Sequence, residues 1–167
     1  TTGKRVKNGW IHTALKSRYN RTGQPLPEWL QTYQDNAPKY PIPFALHLLP
    51  GSEDKPVAIV EAPKTAVVMS AIAPDALCLA IGALSYLNAE RLAAVKDREL
   101  ILYPDLGAFD KWSDKAAALR ALGFRVAVSD LLERNAKGED HVKGYDIADY
   151  FLKDAAAPAQ YQVLPMI

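Results

Sequence analysis

Residues 57–66 read Val-Ala-Ile-Val-Glu-Ala-Pro-Lys-Thr-Ala, and this stretch decides the fold. Its first four residues are apolar, which is typical of a short buried strand, and the run ends abruptly in the carboxylate of Glu61. Pro63 suits the first turn of a helix, and helix-compatible residues continue to Ile72. Because ligands bind where parallel strands end and lead into helices, Glu61 is a functional candidate. The alternative is a solvated glutamate that satisfies a nearby amide.

The same alternation continues along the chain and predicts an α/β fold. We expect strands at residues 57–60, 76–81, 99–103 and 124–128, and helices at residues 64–72, 88–95, 109–122, 129–134 and 147–153. The helix at 109–122 places Trp112, Ala116, Leu119 and Leu122 on one face. Strands separated by helices of this length indicate parallel βαβ units. The sequence therefore predicts a Rossmann-like sheet of about four parallel strands flanked by helices.

The first third of the chain has a different character. Residues 1–54 are interpreted as a basic arm and a proline-rich lead-in packed on the core, with short strands at 5–7 and 10–12 and helices at 13–19 and 28–33. An element of unassigned type is expected at 44–49. The core domain is expected at 55–153, and an Ala/Pro-rich tail with one possible strand at 154–167. The sequence opens with a pattern typical of a Thr-Gly turn, so we expect an upstream partner strand in a longer protein.

The charge is distributed unevenly. Residues 1–27 contain six basic residues and no acid, although the net charge of the 167 residues is only +1. Such an arm favours an anionic partner such as nucleic acid, because cations meet phosphates and aromatic side chains stack on bases. The candidate nucleic-acid contacts are Lys4, Arg5, Lys7, Trp10, Lys16 and Arg18. The alternative is a basic segment that is merely solvated.

The composition excludes several other classes of protein. Hydrophobic residues make up 49% and charged residues 23%, which is ordinary for a globular domain, and no apolar run approaches the roughly 20 residues of a membrane helix. The single cysteine, Cys78, is expected to be a small core residue, and an intracellular, cytoplasmic location is favoured. One Cys and three scattered His give no zinc spacing. A small-molecule α/β enzyme is disfavoured because no glycine-rich phosphate loop is present.

Acidic residues recur at the predicted carboxyl ends of the strands. Glu61 ends the first strand, Asp105 follows the third, and Asp146 with Asp149 begins the element after the fourth. Parallel strands finish at one edge of a sheet, and carboxylates gathered there suit Mg²⁺ or Mn²⁺, which can orient phosphate oxygens. Asp105 has an alternative as a turn residue. For Asp146 with Asp149, helix capping is the stronger interpretation.

Two further residues have both a functional and a plain interpretation. Asp110 is a possible additional metal ligand, or a carboxylate that favours a helix N-terminus. Lys64, one turn into the first helix of the core, is a candidate phosphate-binding residue, or a solvated cation.

Several motifs in order resemble a Toprim domain, the topoisomerase–primase module. They are Val-Ala-Ile-Val-Glu-Ala-Pro-Lys-Thr-Ala, Leu-Ala-Ile-Gly-Ala-Leu-Ser, Leu-Ile-Leu-Tyr-Pro-Asp-Leu-Gly-Ala-Phe-Asp-Lys-Trp and Lys-Gly-Tyr-Asp-Ile-Ala-Asp-Tyr-Phe-Leu. The similarity covers residues 55 to about 153 and is strongest to primase-like proteins of bacterial mobile elements, especially from Bacteroidetes. It implies a Toprim/Rossmann-like fold.

The resemblance also implies roles for particular residues. Glu61 corresponds to the general acid or base of phosphoryl or nucleotidyl transfer, and Asp105 to the first member of an Asp pair that binds Mg²⁺. Gly107 stands at the second position of that pair, where Asp110 is a possible substitute. Asp146 resembles the family's later acidic position.

The implied function is Mg²⁺-dependent nucleotidyl or phosphoryl transfer on nucleic acid by a module of a DNA primase-like protein. The alternatives are a Toprim-family nuclease and a non-catalytic nucleic-acid-binding domain that has lost its metal chemistry at Gly107. Expected partners are DNA, particularly single-stranded, and a replicative helicase or mobilisation proteins. No membrane partner is expected.

Overall fold

Four short apolar segments pair into one parallel sheet. A computed structural model of the chain describes residues 11–36, 42–141 and 145–154. The strands lie in the order β2-β1-β3-β4. They are β1 (Val57–Val60), β2 (Leu77–Ala80), β3 (Glu99–Leu102) and β4 (Arg125–Val128). All three pairings are parallel, which confirms the predicted α/β class with about four parallel strands.

Helices cover both faces of this sheet. The helices in this part of the chain are α3 (Pro63–Ile72), α4 (Phe109–Ala121), α5 (Leu131–Asn135), α6 (Gly138–His141) and α7 (Ile147–Asp154). On one face, Met69 of α3 and Phe151 of α7 pack with the strand residues Ala58, Val60 and Cys78. Successive side chains of a strand point to opposite faces, so Val57 and Ile59 instead join Trp112 of α4 in the second core cluster. Within the described ranges, no helix is long and apolar enough to cross a membrane.

The chain separates into two compact units, Thr1–Lys39 and Tyr40–Ile167. The first contains α1 (Ile11–Thr22) and α2 (Glu28–Asn36). The strand predicted at 10–12 is wrong at Ile11 and His12, because the helix expected from Thr13 already begins at Ile11. Extending a helix that has formed is favourable, since each added residue contributes one more helical hydrogen bond. The helix predicted at 28–33 is confirmed. The strands predicted at 5–7 and 160–164 lie outside the described residues.

The segment of unassigned type at 44–49 forms a short cover on the edge strand β2. Phe44 makes an isolated antiparallel bridge to Ala80, with N···O distances of 2.7 and 3.3 Å. Ala45 then adopts a φ of 67°, and a single 3₁₀ turn, Leu46–Leu48, leads away from the strand. This segment therefore belongs to the same unit as the sheet.

Three local predictions are corrected. The helix expected at 88–95 is a run of tight turns with one 3₁₀ turn, Ala93–Val95, since i→i+3 bonds bring Leu92 and Val95 to the core. Leu122 is 56% exposed because the helix ends one residue before it. The polar loop expected after residue 134 contains α6, whose start is capped by a bond from the Lys137 N–H to the Asp140 carboxylate at 3.0 Å.

Candidate functional site at the carboxyl edge of the sheet

The register of the two central strands brings Glu61 and Asp105 to the same edge. Ile59 of β1 lies opposite Leu102 of β3, and the Tyr103 N–H donates to the Ile59 carbonyl at 2.8 Å. Glu61 follows β1 by one residue and Asp105 follows β3 by three, so both leave neighbouring strands in the same direction. Both residues are half-buried. Both carboxylates therefore lie at the carboxyl edge of the sheet, near enough for the charge of Glu61 to raise the pKa of Asp105.

The surroundings of Asp105 at this edge disfavour the ionised form of its carboxyl group. Burial raises the pKa of its carboxyl group from 3.8 to about 6, and the negative charges of Glu61, Asp146 and Asp149 act in the same direction, against a smaller opposing effect of Lys64. In the described part of the chain, no hydrogen bond reaches the Asp105 carboxylate, whose backbone carbonyl accepts from the Ala108 N–H at 2.9 Å. A half-buried carboxylate without a donor is poised to accept a cation or a proton.

The loop after Asp105 is held by two long-range hydrogen bonds. The Leu106 N–H donates to the Tyr145 carbonyl at 2.9 Å, which ties this loop to the residue before Asp146. The Gly107 N–H donates to the Glu133 carboxylate of α5 at 3.0 Å. Gly107 has a φ of 81°, a backbone conformation that favours glycine. Sequence reasoning missed Glu133, although its place after β4 was a possible signal.

Unlike Asp105, Asp146 accepts hydrogen bonds through both of its carboxylate oxygens. Its Oδ1 accepts from the Asp149 N–H at 2.9 Å, and its Oδ2 accepts from the Thr65 hydroxyl at 2.7 Å. The Asp146 N–H in turn donates to the Asp149 carboxylate at 3.2 Å. This reciprocal pair confirms the capping interpretation for the start of α7.

The hydrogen bonds and the positive charge around Asp146 favour its ionised form. Burial by itself would raise the pKa of Asp146, but the hydrogen bonds from Asp149 and Thr65, together with the charge of Lys64, outweigh burial and lower the pKa below its ordinary value. We call Lys64, Thr65, Asp146 and Asp149 the Asp146 cluster; it joins the beginnings of α3 and α7. The predicted metal role of Asp146 stays a prediction, and these contacts compete with it.

Lys64 belongs to the Asp146 cluster. Its Nζ lies 3.2 Å from Asp146 Oδ2 and 3.8 Å from Asp149 Oδ1, while its side chain is 65% exposed. The hydrogen bond to Asp146 raises the pKa of Lys64. A phosphate at this helix N-terminus would therefore meet a lysine already paired with carboxylates.

The remaining predicted site residues are more dispersed. Asp110 is exposed in the first turn of α4 and is not among the charges that shift the pKa of Asp105. Lys16 and Arg18 are exposed on α1. The other predicted nucleic-acid contacts, Lys4, Arg5, Lys7 and Trp10, lie outside the described residues. Across the described ranges, no group of three His, Cys, Asp or Glu side chains is arranged to hold a metal ion.

Residues 1–106 match a family described as a domain of unknown function, DUF6371. The chain belongs to the DUF6371 family. Among curated proteins and solved structures, none matches the chain.

The DUF6371 match encloses both carboxylates that meet at the sheet edge. Glu61 and Asp105 lie inside the matched residues, while Asp110 and Asp146 lie beyond them. In this DUF6371 chain the chemistry available at the edge is that of two half-buried carboxylates on adjacent strands. Oxygen ligands that repel one another suit a hard divalent cation that keeps most of its waters, so the donor set fits Mg²⁺.

Proposed function

We propose that this chain is a Toprim-type module of a primase-like protein that carries out Mg²⁺-dependent nucleotidyl or phosphoryl transfer on nucleic acid. One geometric observation supports the proposal. Glu61 and Asp105 leave the adjacent parallel strands β1 and β3 at the same edge of the sheet, in the order that the resemblance assigns to an acid–base residue and a metal ligand. The four-stranded parallel sheet is consistent with such a fold.

Asp105 would hold Mg²⁺ or Mn²⁺, with Asp146 and Asp110 as further candidate ligands. A bound divalent cation neutralises phosphate oxygens and aligns an attacking hydroxyl or water with its target. Asp105 supplies the carboxylate oxygen, because a bound cation offsets the burial and the neighbouring negative charges that raise its pKa to about 6. Glu61, half-buried beside it, is the group that can take or return the proton of the attacking oxygen.

We propose DNA as the substrate, bound in part by the basic arm. The basic residues of the arm, including the exposed Lys16 and Arg18, suit the phosphates of DNA, and single-stranded DNA suits an arm with interspersed aromatic residues. A replicative helicase or mobilisation proteins are the proposed protein partners, and the cytoplasm the proposed location. Lys64 is proposed to steady a phosphate at the start of α3.

A metal titration tests the catalytic proposal. Millimolar Mg²⁺ should shift the NMR carboxyl signals of Glu61 and Asp105 in the full chain, and Mn²⁺ should broaden them. Asp105→Asn should abolish the response. The matched control is Asp114→Asn, an exposed aspartate of α4 with no assigned role, whose loss should leave the response unchanged. If neither Mg²⁺ nor Mn²⁺ changes the carboxyl signals of Glu61 and Asp105 in the unmodified chain, the proposal is overturned.

Activity assays separate the two enzymatic versions. With a single-stranded DNA template and nucleoside triphosphates, a nucleotidyltransferase extends chains, whereas a nuclease shortens labelled DNA without added nucleotides. Glu61→Gln should abolish either activity and leave metal binding by Asp105 in place. An activity that survives Glu61→Gln would remove Glu61 from the acid–base role.

A second candidate function is a non-catalytic nucleic-acid-binding domain. Two observations favour it. Gly107, with a φ of 81°, stands where the resemblance expects the second metal-binding aspartate, and the Asp146 carboxylate is already engaged by Thr65 and Lys64. Under this alternative, single-stranded DNA binds equally well with Mg²⁺ and with a chelator. In both versions, replacing Lys4, Arg5 and Lys7 with Ala should weaken DNA binding and flatten its dependence on salt. An unchanged salt slope would remove the arm from the DNA interface.

A further inference from the structure

Arg91 is a buried cation that no described function uses. It lies in the tight-turn segment between β2 and β3, and the residue is only 6% exposed. Its backbone N–H donates to the Asn88 side chain at 3.1 Å, which fixes the turn that carries it. Arginine is almost never buried to this extent without an anionic partner.

The guanidinium of Arg91 is incompletely satisfied. One of its terminal nitrogens donates to the Ile81 carbonyl at a long 3.4 Å, and the Tyr86 ring covers one face at 3.4 Å from the guanidinium carbon to the ring centroid. A guanidinium carries five N–H donors. In the described ranges of the chain, no carboxylate forms an ion pair with Arg91. In the described ranges the other nitrogens of Arg91 are not among the fully buried atoms that lack a partner, so these donors reach the surface, where an anion can meet them.

The position of Arg91 links it to the candidate site. Ile81 and Gly82 directly follow β2 at the carboxyl edge of the sheet, and the Gly82 N–H donates to the Glu61 carbonyl at 2.8 Å. Gly82 has a φ of 80°, and a Cβ built on it would meet no atom within 4 Å, so the space beside this turn is open. Tyr86 is 40% exposed, so the layer over the guanidinium is at the surface.

We propose that Arg91 binds phosphoryl oxygens at the carboxyl edge of the sheet, on the β2 side of Glu61. Because a guanidinium presents paired donors that match phosphate oxygens, this is the anion chemistry that it recognises best. The Tyr86 ring holds the guanidinium plane in place and leaves its edge for the ligand. The inference deepens the proposed function by naming a phosphate contact for the same edge. The phosphate belongs either to a nucleotide or to a nucleic-acid strand.

Binding of inorganic pyrophosphate by the full chain tests this inference, in EDTA so that no metal site contributes. Pyrophosphate should cause a saturable shift of the Arg91 side-chain Nε–H signal, and Arg91→Lys should weaken binding roughly tenfold, because lysine lacks the paired donors. Arg91→Met should abolish binding while cooperative urea unfolding shows that the chain still folds. The matched control is Arg98→Lys, because Arg98 also bonds carbonyl oxygens, those of Ser52 and Lys55, but precedes β3 at the opposite edge. It should leave pyrophosphate affinity unchanged.

Two further arms identify the source of the phosphate. A nucleoside triphosphate and a short single-stranded DNA are each titrated against the unmodified chain and Arg91→Lys; the natural source is the one whose affinity falls with the substitution. Absence of pyrophosphate binding, or equal binding by Arg91→Lys, would overturn the inference. If Mg²⁺ shifts no signal of Asp105 but Arg91 still binds pyrophosphate, the metal proposal fails and the phosphate site stands.

Discussion

Asp105 and Asp146 lie at the same edge of one sheet, yet their surroundings differ in almost every respect. Asp146 accepts hydrogen bonds from Thr65 and from the Asp149 N–H and pairs with Lys64, and its pKa is lowered. The Asp105 carboxylate has no hydrogen-bond donor in the described part of the chain, and burial beside other acids raises its pKa to about 6. Two carboxylates at one edge therefore have different roles: Asp146 stabilises the fold, whereas the ionised form of Asp105 is destabilised where chemistry is expected.

Removing the paired carboxylate should have the largest effect on stability. Asp146→Ala removes a helix cap and leaves the Thr65 hydroxyl without its acceptor, so we expect a loss of about 2–3 kcal/mol in the free energy of unfolding at neutral pH. Urea unfolding measures it. Since the pKa of Asp146 is lowered in the folded chain, its contribution is present above the unfolded pKa of 3.8 and is lost as the pH falls through the folded pKa. A loss below about 0.5 kcal/mol would show that the Asp146 cluster does not hold α3 to α7.

Replacing Asp105, whose pKa is raised, should increase the stability of the folded chain. Asp105→Asn should raise the free energy of unfolding by about 1–2 kcal/mol at neutral pH, which is less than the full pKa shift implies because the side chain is partly solvated. The folded chain holds the Asp105 proton more tightly than the unfolded chain, so the gain should grow as the pH rises from about 4 to about 6 and stay constant above.

Urea unfolding of both proteins across this pH range measures the gain. The matched control is Asp110→Asn, which removes an exposed carboxylate from the first turn of α4 and should cost about 0.3–1 kcal/mol. A destabilised Asp105→Asn chain would contradict the assignment of Asp105 as an unpaired group.

The smallest effect isolates a single contact of the Asp146 cluster. Thr65→Val keeps the shape of a buried side chain and removes the 2.7 Å hydrogen bond to Asp146. We expect a loss of about 1 kcal/mol in the free energy of unfolding. In Asp146→Ala the same substitution should cost less, because the hydroxyl no longer has that acceptor, and strictly additive losses would mean that the two groups do not interact.

The strands and the edge were predictable from sequence because they depend on local patterns. The apolar runs ending at Glu61 and before Asp105 gave the strands within one residue at each end, and parallel topology then placed both carboxylates at one edge. The helix predicted at 88–95 failed because Asn88 fixes only the first turn, through its side-chain bond to the Arg91 N–H, and the residues from Ala93 onward form i→i+3 hydrogen bonds instead of helical ones.

The contacts that distinguish the site residues are long-range and carry little sequence signal. Thr65 and Asp146 are 81 residues apart, and Gly107 and Glu133 are 26 apart. No local pattern shows that Asp146 is paired and Asp105 is not. Arg91 resembles an ordinary helix-surface arginine in the sequence, and only the fold shows that it is buried against Tyr86.

The most direct test of the comparison is the pKa of Asp105, measured by carboxyl-carbon NMR with and without Mg²⁺. We expect the Asp105 carboxyl group to titrate near a pKa of about 6 in the metal-free chain. Saturating Mg²⁺ should lower this pKa, because a bound cation favours the ionised carboxylate. A pKa near the ordinary 3.8 that Mg²⁺ leaves unchanged would contradict the central claim that Asp105 is an unpaired carboxylate placed to bind a metal.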